Sequence, residues 1–180
     1  MSKKPIIVFE GVEGSGKSHH INKVSNFLNK NKIKYIKIRE PGGSLNSEKI
    51  RRLILNKKSK FNIHTDLLLY LAARSENLNQ IKKFYKKRII LIDRFVDSTI
   101  AYQHYGMKID LKIIKMLNKF IIGNFNPNLV FLSTVNSKNL QKRLSTRSKL
   151  NRYDKFKLKF YNKVQNGYKK IANKKNKYIQ

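Results

Sequence analysis

The sequence predicts an α/β domain in which a parallel sheet is flanked by helices on both faces. Three short apolar runs, at 6–9, 89–92 and 129–132, are continuous rather than alternating, which is typical of strands covered on both sides. Longer segments with helical periodicity separate these runs, and a glycine-rich loop follows the first of them. Strands that alternate with helices build a parallel sheet, so this order defines the fold class.

The composition limits the classes of protein that the chain can represent. Its 180 residues suit a single domain, 1–180, because a chain of this length buries most of its apolar surface in one core. The absence of cysteine excludes disulfides and thiolate metal sites. No stretch approaches the roughly 20 apolar residues of a membrane span, so we expect a cytoplasmic protein with no membrane partner.

The formal net charge of +31 has two interpretations. Lysine and arginine bind phosphates by releasing counterions, and a nucleic-acid surface is therefore one of them. The lysines, however, are spread along the whole chain among asparagine and isoleucine, as a codon bias acting on solvated positions would produce. We therefore expect that nucleic acid is not a specific partner.

The first apolar run leads into a candidate phosphate-binding loop. Residues 11–18 fit the motif G-x-x-x-x-G-K-[ST]. They lie between a predicted strand and a helix predicted at 18–31, as that motif requires. Backbone N–H groups of such a loop converge on phosphates, with Lys17 reaching the β- and γ-phosphates and Ser18 binding Mg²⁺. The alternative is a glycine-rich turn that binds nothing. The predicted ATP-binding residues are Gly11, Val12, Glu13, Gly14, Ser15, Gly16, Lys17 and Ser18.

A weaker strand candidate at 33–38 precedes a helix predicted at 66–85, whose apolar face is interrupted by an arginine. The face reads Leu67, Leu71, Arg74, Leu78 and Ile81 at a spacing of four and three. Burying an unpaired guanidinium is costly, so Arg74 either meets a carboxylate or faces a polar ligand cavity. Tyr70, one turn earlier, offers an aromatic plane for a base beside it.

An acidic residue follows the third apolar run. Asp93 stands at the carboxyl end of a predicted central strand, where open α/β sheets build their sites. We expect Asp93 to hold Mg²⁺ through water and Arg94 to clamp an acceptor phosphate. The alternative is an Asp93–Arg94 ion pair that only caps the strand. Beyond this point, the periodicity predicts three helices, at 110–122, at 137–147 and from 154 to about 173.

Four segments together resemble the thymidylate kinase family, and the resemblance runs over essentially the whole chain. Arg39-Glu40-Pro41-Gly42-Gly43 matches the family's signature after its second strand, and Asp93-Arg94-Phe95 resembles its Asp-Arg-Tyr/His element. Tyr70 with Ala72-Ala73-Arg74 resembles its aromatic-x-Ala-x-Arg helix, and 98–103 resembles the segment that lines its nucleoside pocket. The resemblance implies the fold of a P-loop nucleoside monophosphate kinase. The family's last strand and last helix are expected to be missing, because the chain stops at Gln180.

The resemblance also implies an activity and a set of site residues. The reaction is transfer of the ATP γ-phosphoryl group to dTMP, which forms dTDP for dTTP synthesis, with Mg²⁺ as cofactor and a homodimer as the assembly. Glu13 approaches the sugar 3'-hydroxyl, Tyr70 stacks on thymine and Tyr102 crowds the 2'-position. The residues that the resemblance implies for dTMP binding are Glu13, Arg39, Tyr70, Arg74, Arg94, Thr99, Tyr102 and Gln103. Preference between dTMP and dUMP stays open.

A lid is implied by what the phosphate loop lacks. Some family members carry an arginine inside the loop and others supply it from a mobile lid, and this loop has Gly14 instead. The similarity therefore implies a lid at about 143–154. The lid adds Arg143, Arg147 and Arg152 to Lys17 and Arg94 as the expected catalytic residues. The alternative for the three lid arginines is the solvated end of a basic helix.

Two other functions compete with this expectation. A deoxynucleoside kinase also joins a phosphate loop to an acidic-arginine pair, but it needs a base to accept the proton of the 5'-hydroxyl group. A nucleic-acid-stimulated P-loop NTPase is favoured only by the positive charge.

Overall fold

The computed structural model describes residues 4–146 and 151–179, apart from the side chains of 154 and 155, and shows a five-stranded parallel sheet. The strands are β1 (Ile6–Glu10), β2 (Tyr35–Arg39), β3 (Ile89–Asp93), β4 (Leu129–Leu132) and β5 (Tyr178–Ile179). Their order across the sheet is β2-β3-β1-β4-β5, and all neighbours are parallel. The predicted fold class is confirmed.

Seven α-helices lie between these strands in the described residues. They are α1 (Lys17–Lys30), α2 (Leu45–Leu55), α3 (Ile63–Phe84), α4 (Val96–Thr99), α5 (Leu111–Ile122), α6 (Ser137–Ser145) and α7 (Leu158–Ala172). A π-helical segment, Ile100–Gly106, continues α4. Within the described ranges, none of the helices has both the length and the apolar character needed to cross a bilayer.

Both faces of the sheet are buried, as the continuous apolar runs predicted. Ile90 and Ile92 of β3 pack in a cluster with Ile81 of α3, whereas Leu91, which points to the opposite face, packs with Ile21 of α1. Because successive strand residues point to opposite sides, this division requires helices on both faces.

Helix α2 was not predicted. Its Ser44 cap accepts a hydrogen bond from the N–H of Ser47, at an N···O distance of 3.3 Å, and Glu48 lies in its first turn. Only Ser47 and Ile54 of the helix are fully buried. A narrow apolar stripe of this kind gives a weak periodic signal in the sequence.

The expectation that the last strand is missing is wrong. Tyr178 and Ile179 pair in parallel with Val130 and Phe131, so β5 covers an edge of β4 that would otherwise be open. The Tyr178 hydroxyl donates to Asp97, and Lys175 Nζ lies 2.7 Å from the same carboxylate. These contacts tie a strand of only two residues to α4. The expected absence of the family's last helix stays a prediction.

Helix α7 packs closely against the π-helical segment, and Gly167 makes this possible. A Cβ atom at position 167 would lie 2.6 Å from Cγ and 2.8 Å from Cβ of Tyr105. The second of these atoms is fixed to the backbone and has little freedom to move away.

Gly167→Ala should therefore destabilise the protein, although alanine favours helices over glycine. Overpacking costs about 1–3 kcal/mol, which exceeds the gain of about 1 kcal/mol in helix propensity. Thermal unfolding followed by circular dichroism measures the difference, with Asn166→Ala, an exposed neighbour in the same helix, as the control. An equal or higher melting temperature for Gly167→Ala would contradict the tight contact.

Candidate active site

The phosphate loop joins the buried strand β1 to α1, as predicted. Gly16 precedes α1 with a φ of 100° and provides no side-chain cap, so no side chain occupies the first N–H groups of the helix, where an anion can bind. Gly11 has a φ of 138°, and a Cβ atom there would lie 2.3 Å from the carbonyl oxygen of Ser133. Neighbouring backbone therefore admits only glycine at that position.

Lys17 is the buried cation of the loop. Its Nζ donates to the carbonyl oxygen of Val12 at 2.8 Å, and the residue is only 7% exposed. Burial, followed by repulsion from Arg94, lowers the pKa of Lys17 to about 8, although Asp93 and Glu13 oppose the shift. A bound polyanion would stabilise this buried ammonium group in its charged form.

Asp93 ends β3 beside the loop, and it faces the same cavity as Ser18. Its Oδ1 atom is buried and has no hydrogen-bond partner. Arg94 pairs with Glu13 instead, at an N···O distance of 2.9 Å, and the described residues contain no Asp93–Arg94 ion pair. The strand-capping alternative for Asp93 is therefore not realised.

A cavity of about 310 Å³ extends from the loop toward α3. Most of the predicted site residues line it, and these are Glu13, Gly14, Lys17, Ser18, Tyr70, Arg74, Asp93, Arg94, Thr99, Tyr102 and Gln103. Several residues without a predicted role join them, namely Glu40, Pro41, Arg51, Leu55, Ser98, Asn151 and Tyr153. The Nε2 atom of Gln103, one of the lining residues, is buried without a hydrogen-bond partner, so this donor is unused.

Arg74 both meets a carboxylate and borders the cavity, which the sequence offered as alternatives. Its Nε donates to Glu40 at 2.7 Å, and its Nη1 donates to Thr99 at 2.9 Å and to Asn118 at 2.5 Å. The residue is 2% exposed, yet it borders the cavity. Burial raises the pKa of Glu40, and the Arg74 charge opposes that shift. This buried ion pair fixes the guanidinium in one orientation.

Three tyrosine rings form one wall of the cavity. The ring of Tyr153 lies 6.1 Å from that of Tyr70 and 6.2 Å from that of Tyr102, nearly perpendicular to both. Such edge-to-face contacts hold aromatic rings in defined positions. Tyr70 and Tyr102 were predicted site residues, while Tyr153 was missed because nothing in the sequence relates it to α3.

Glu10, at the end of β1, was also missed. It is fully buried and accepts hydrogen bonds from the N–H groups of Phe95 and Ser98 and from the Ser98 hydroxyl. Burial, with a smaller effect of Asp97, raises the pKa of Glu10 to about 7, against the opposing effect of these hydrogen bonds. In sequence, Glu10 is only the last residue of an apolar run before the loop.

The lid arginines are placed differently from one another. Arg143 Nη1 donates to the carbonyl oxygen of Gly14 at 2.6 Å, in an open groove formed with residues 14–20. Arg152 pairs with Asp66 and donates to the carbonyl oxygen of Ile54 at 3.0 Å, away from the loop. Arg147 lies outside the described residues. The catalytic role of all three stays a prediction.

Arg39 does not line the cavity. It pairs with Glu48 of α2 at an N···O distance of 3.0 Å, and its side chain is 54% exposed. Arg51, on the unpredicted helix α2, borders the cavity instead and donates to the carbonyl oxygen of Pro41 at 2.6 Å. A role for Arg39 in binding dTMP stays a prediction.

The cavity thus joins a polyphosphate cradle to a second set of cations. Lys17 and the loop N–H groups lie at one end, while Arg51 and Arg94 with the tyrosine wall lie beyond it. Two phosphate-bearing ligands that meet between these groups are what this geometry accommodates. The fold and site therefore define a P-loop nucleoside monophosphate kinase.

Comparison with known proteins identifies the family within this class of kinases. A family model described as thymidylate kinase matches residues 9–180, and the chain belongs to the thymidylate kinase family. It is 35% identical over 175 residues to a thymidylate kinase of Kosmotoga olearia, covering 96% of this chain and 84% of that protein. Identity to a thymidylate kinase of Staphylococcus epidermidis is 40% over 168 residues, covering 92% and 82%. The crystal structure of thymidylate kinase from Ehrlichia chaffeensis superimposes with a TM-score of 0.77 at 31% identity, covering 99% of this chain and 94% of the other.

The raised pKa of Glu10 predicts how stability depends on pH. The folded state holds this proton more tightly than the unfolded chain, whose glutamate titrates near 4.5. The resulting stabilisation is fully present below pH 4.5 and is lost as the pH rises toward 7. It amounts to roughly 3 kcal/mol, since one pKa unit corresponds to about 1.4 kcal/mol.

Glu10→Gln, which cannot titrate, should remove this component. Chemical denaturation at a series of pH values gives the unfolding free energies of the wild type and the variant. The wild type should gain stability relative to Glu10→Gln as the pH falls from 7 to 4.5. Parallel profiles would mean that Glu10 titrates alike in both states.

Proposed function

We propose that the chain transfers the γ-phosphoryl group of ATP to dTMP and forms dTDP and ADP. Family membership supports the reaction, and the observation that carries it to this site is the continuous cavity from the Lys17 loop to Arg94 and Arg74. An oxygen of the acceptor phosphate forms the new bond to the γ-phosphorus, and the bond to the β,γ-bridging oxygen breaks. The second pKa of a phosphate is about 6, so no general base is required.

Catalysis then consists of positioning and charge neutralisation. Lys17 and the loop N–H groups hold the β- and γ-phosphates, while Arg94 holds the acceptor phosphate, with Arg51 on the same side of the cavity. Arg143 already contacts Gly14, which favours its role as the lid arginine that meets the transferred group. The cavity offers many cations and few free bases, which suits phosphate as the acceptor.

The site residues fit a magnesium ion. Ser18 and Asp93 line the cavity, and the buried Oδ1 atom of Asp93 has no hydrogen-bond partner. The described residues contain no cluster of three or more histidine, aspartate or glutamate side chains that could hold a metal. Mg²⁺ commonly keeps several waters and takes only one or two protein ligands. When bound with ATP, it neutralises charge on the β- and γ-phosphates.

The other half of the cavity suits a thymine deoxynucleotide. The unpaired Nε2 donor of Gln103 and the guanidinium of Arg74 match the carbonyl oxygens of thymine, whereas the amino group of cytosine would place two donors against each other. Tyr70 supplies the stacking plane. The Tyr102 hydroxyl donates to Glu13, and this pair borders the sugar, where it disfavours a 2'-hydroxyl group.

A homodimer is the assembly that we propose. One face of α5 carries Ile113, Met116 and Phe120 at a spacing of three and four, and all three are exposed, Phe120 to 86%. Leu68, on the neighbouring α3, is 56% exposed. An apolar stripe on adjoining helices is typical of a surface that a second subunit covers. Cytoplasmic localisation and the absence of a specific nucleic-acid partner remain part of the proposal.

The choice of acceptor tests the function. Release of ADP is measured with MgATP and either dTMP, dUMP or thymidine, and chromatography identifies the product. We expect turnover with dTMP and none with thymidine, and Lys17→Met should lower turnover by about 100-fold or more while the protein stays folded. Turnover with thymidine alone would establish a deoxynucleoside kinase, and ATP hydrolysis that only DNA stimulates would establish an NTPase.

Alanine substitution distinguishes the lid arginines. Arg143→Ala should lower kcat by about tenfold or more with little change in KM for either substrate, because its contact is made to the transferred group. Arg152→Ala should instead lower the melting temperature, since it removes the partner of Asp66. A normal kcat for Arg143→Ala, together with a reduced kcat for Arg147→Ala, would assign the role to Arg147.

A further inference from the structure

Glu10 braces the segment that carries Arg94. Its Oε1 atom accepts from the N–H of Phe95 at 2.9 Å and from the N–H of Ser98 at 3.2 Å. The two donors flank the first turn of α4, immediately after Arg94. Glu10 therefore acts across strands as the cap that α4 lacks in its own sequence, since Phe95 provides no side-chain cap.

The braced segment begins with a strained residue. Arg94 has a φ of 69°, a left-handed conformation that is unfavourable for a non-glycine residue. Its N–H donates to the carbonyl oxygen of Phe9 at 3.0 Å, so the backbone is held on one side by β1 itself. The Glu10 carboxylate holds the other side. Without this carboxylate, the strain favours a relaxed backbone that points the guanidinium elsewhere.

A chain of hydroxyl groups extends the brace to the Arg94 side chain. Arg94 Nη1 lies 3.2 Å from the Tyr168 hydroxyl, which lies 2.6 Å from the Ser98 hydroxyl, and Ser98 donates to Glu10 Oε2 at 2.5 Å. Because Ser98 donates its single hydroxyl hydrogen to Glu10, Tyr168 donates to Ser98 and Arg94 donates to Tyr168. Arg94 Nη2 donates to Glu13 on the other side, at 2.9 Å. The guanidinium is therefore fixed from two directions.

We infer that Glu10 is a positioning residue for the acceptor phosphate, because it fixes both the backbone and the guanidinium of Arg94. This inference rests on the proposed function, in which Arg94 holds the phosphate of dTMP. Glu10 lies directly before the phosphate loop, but the side-chain hydrogen bonds shown for it go to the Arg94 segment rather than to the loop. Its loss should therefore act on the acceptor and not on ATP.

The charged and titratable groups around Glu10 suit this role. Asp97 raises its pKa and Arg94 lowers it, while Lys17, Tyr168 and Tyr178 also lie within its electrostatic reach. Glutamine keeps an acceptor oxygen for the two N–H groups, whereas alanine removes the brace entirely. Because glutamine keeps the acceptor oxygen but not the negative charge, the pair of variants separates the need for a hydrogen-bond acceptor from the need for a carboxylate charge.

The test compares Glu10→Ala and Glu10→Gln with the wild type. Steady-state kinetics give kcat and KM for dTMP, calorimetry gives the Kd for MgATP, and thermal unfolding gives the melting temperature. We expect Glu10→Ala to raise KM for dTMP by about tenfold or more and to leave the Kd for MgATP within about twofold, with Glu10→Gln recovering most of the loss. Combining Glu10→Ala with Arg94→Ala should add little to the effect of Arg94→Ala alone.

Three results would overturn the inference. An unchanged KM for dTMP with a lower melting temperature would show that Glu10 is only structural. An equal loss of MgATP affinity would show that it acts on the phosphate loop. Additive effects in the double variant would separate Glu10 from Arg94.

Should Glu10→Ala fail to fold, Ser98→Ala replaces it. An unchanged KM for dTMP in that variant would contradict the role of the chain of hydroxyl groups. Wild-type protein that binds MgATP but does not turn over dTMP would refute the proposed function itself.

Discussion

The parallel pairing of β1 with β3 is the constraint on which the site depends. Phe9 lies opposite Asp93, so Glu10 and the phosphate loop leave the sheet at the level where Asp93 and Arg94 leave it. Parallel neighbours end at the same edge, and loops from adjacent strands must therefore share that edge. Since both strands are buried on both faces, a one-residue shift in register would exchange the apolar side chains of the two faces and disrupt the packing of both cores at once. The cost of that shift fixes Asp93 relative to the phosphate loop.

Buried charge is the second constraint, and it explains why acidic residues accompany the cations of the cavity. Arg74 is paired with Glu40, Arg94 with Glu13 and Arg152 with Asp66. The chain has only ten acidic residues against 41 lysines and arginines, and these three pairs use part of that small number at or near the cavity. Removing one partner of a buried pair costs more than the pair contributes, because the remaining charge is left uncompensated. The acidic residues here therefore fix the orientation of the arginines.

Sequence reasoning succeeded where a local pattern has a local cause. Continuous apolar runs predicted β1, β3 and β4, and the loop motif located the start of α1 to within one residue. It failed where the cause lies in a contact distant in the chain. Glu10 and Ser98 are 88 positions apart, and Tyr168 lies 74 positions from Arg94. Tyr178–Ile179 forms a strand only because it pairs with β4 and because the Tyr178 hydroxyl donates to Asp97. Arg51 was missed with its helix, since α2 buries too narrow a stripe to be recognised.

The pairing of the cations also indicates which of them drives nucleotide binding. Arg74 and Arg94 already have carboxylate partners, so a ligand phosphate must share or replace an existing ion pair, and the net gain is small. Lys17 donates to the neutral carbonyl oxygen of Val12, and its pKa is lowered by burial. Its charge is therefore the least compensated of the three in the resting site. A triphosphate that reaches the loop relieves this desolvated charge directly, while the acceptor meets arginines whose orientation is already set. In the proposed function, the energy of ATP binding and the precision of acceptor binding thus come from different groups in one cavity.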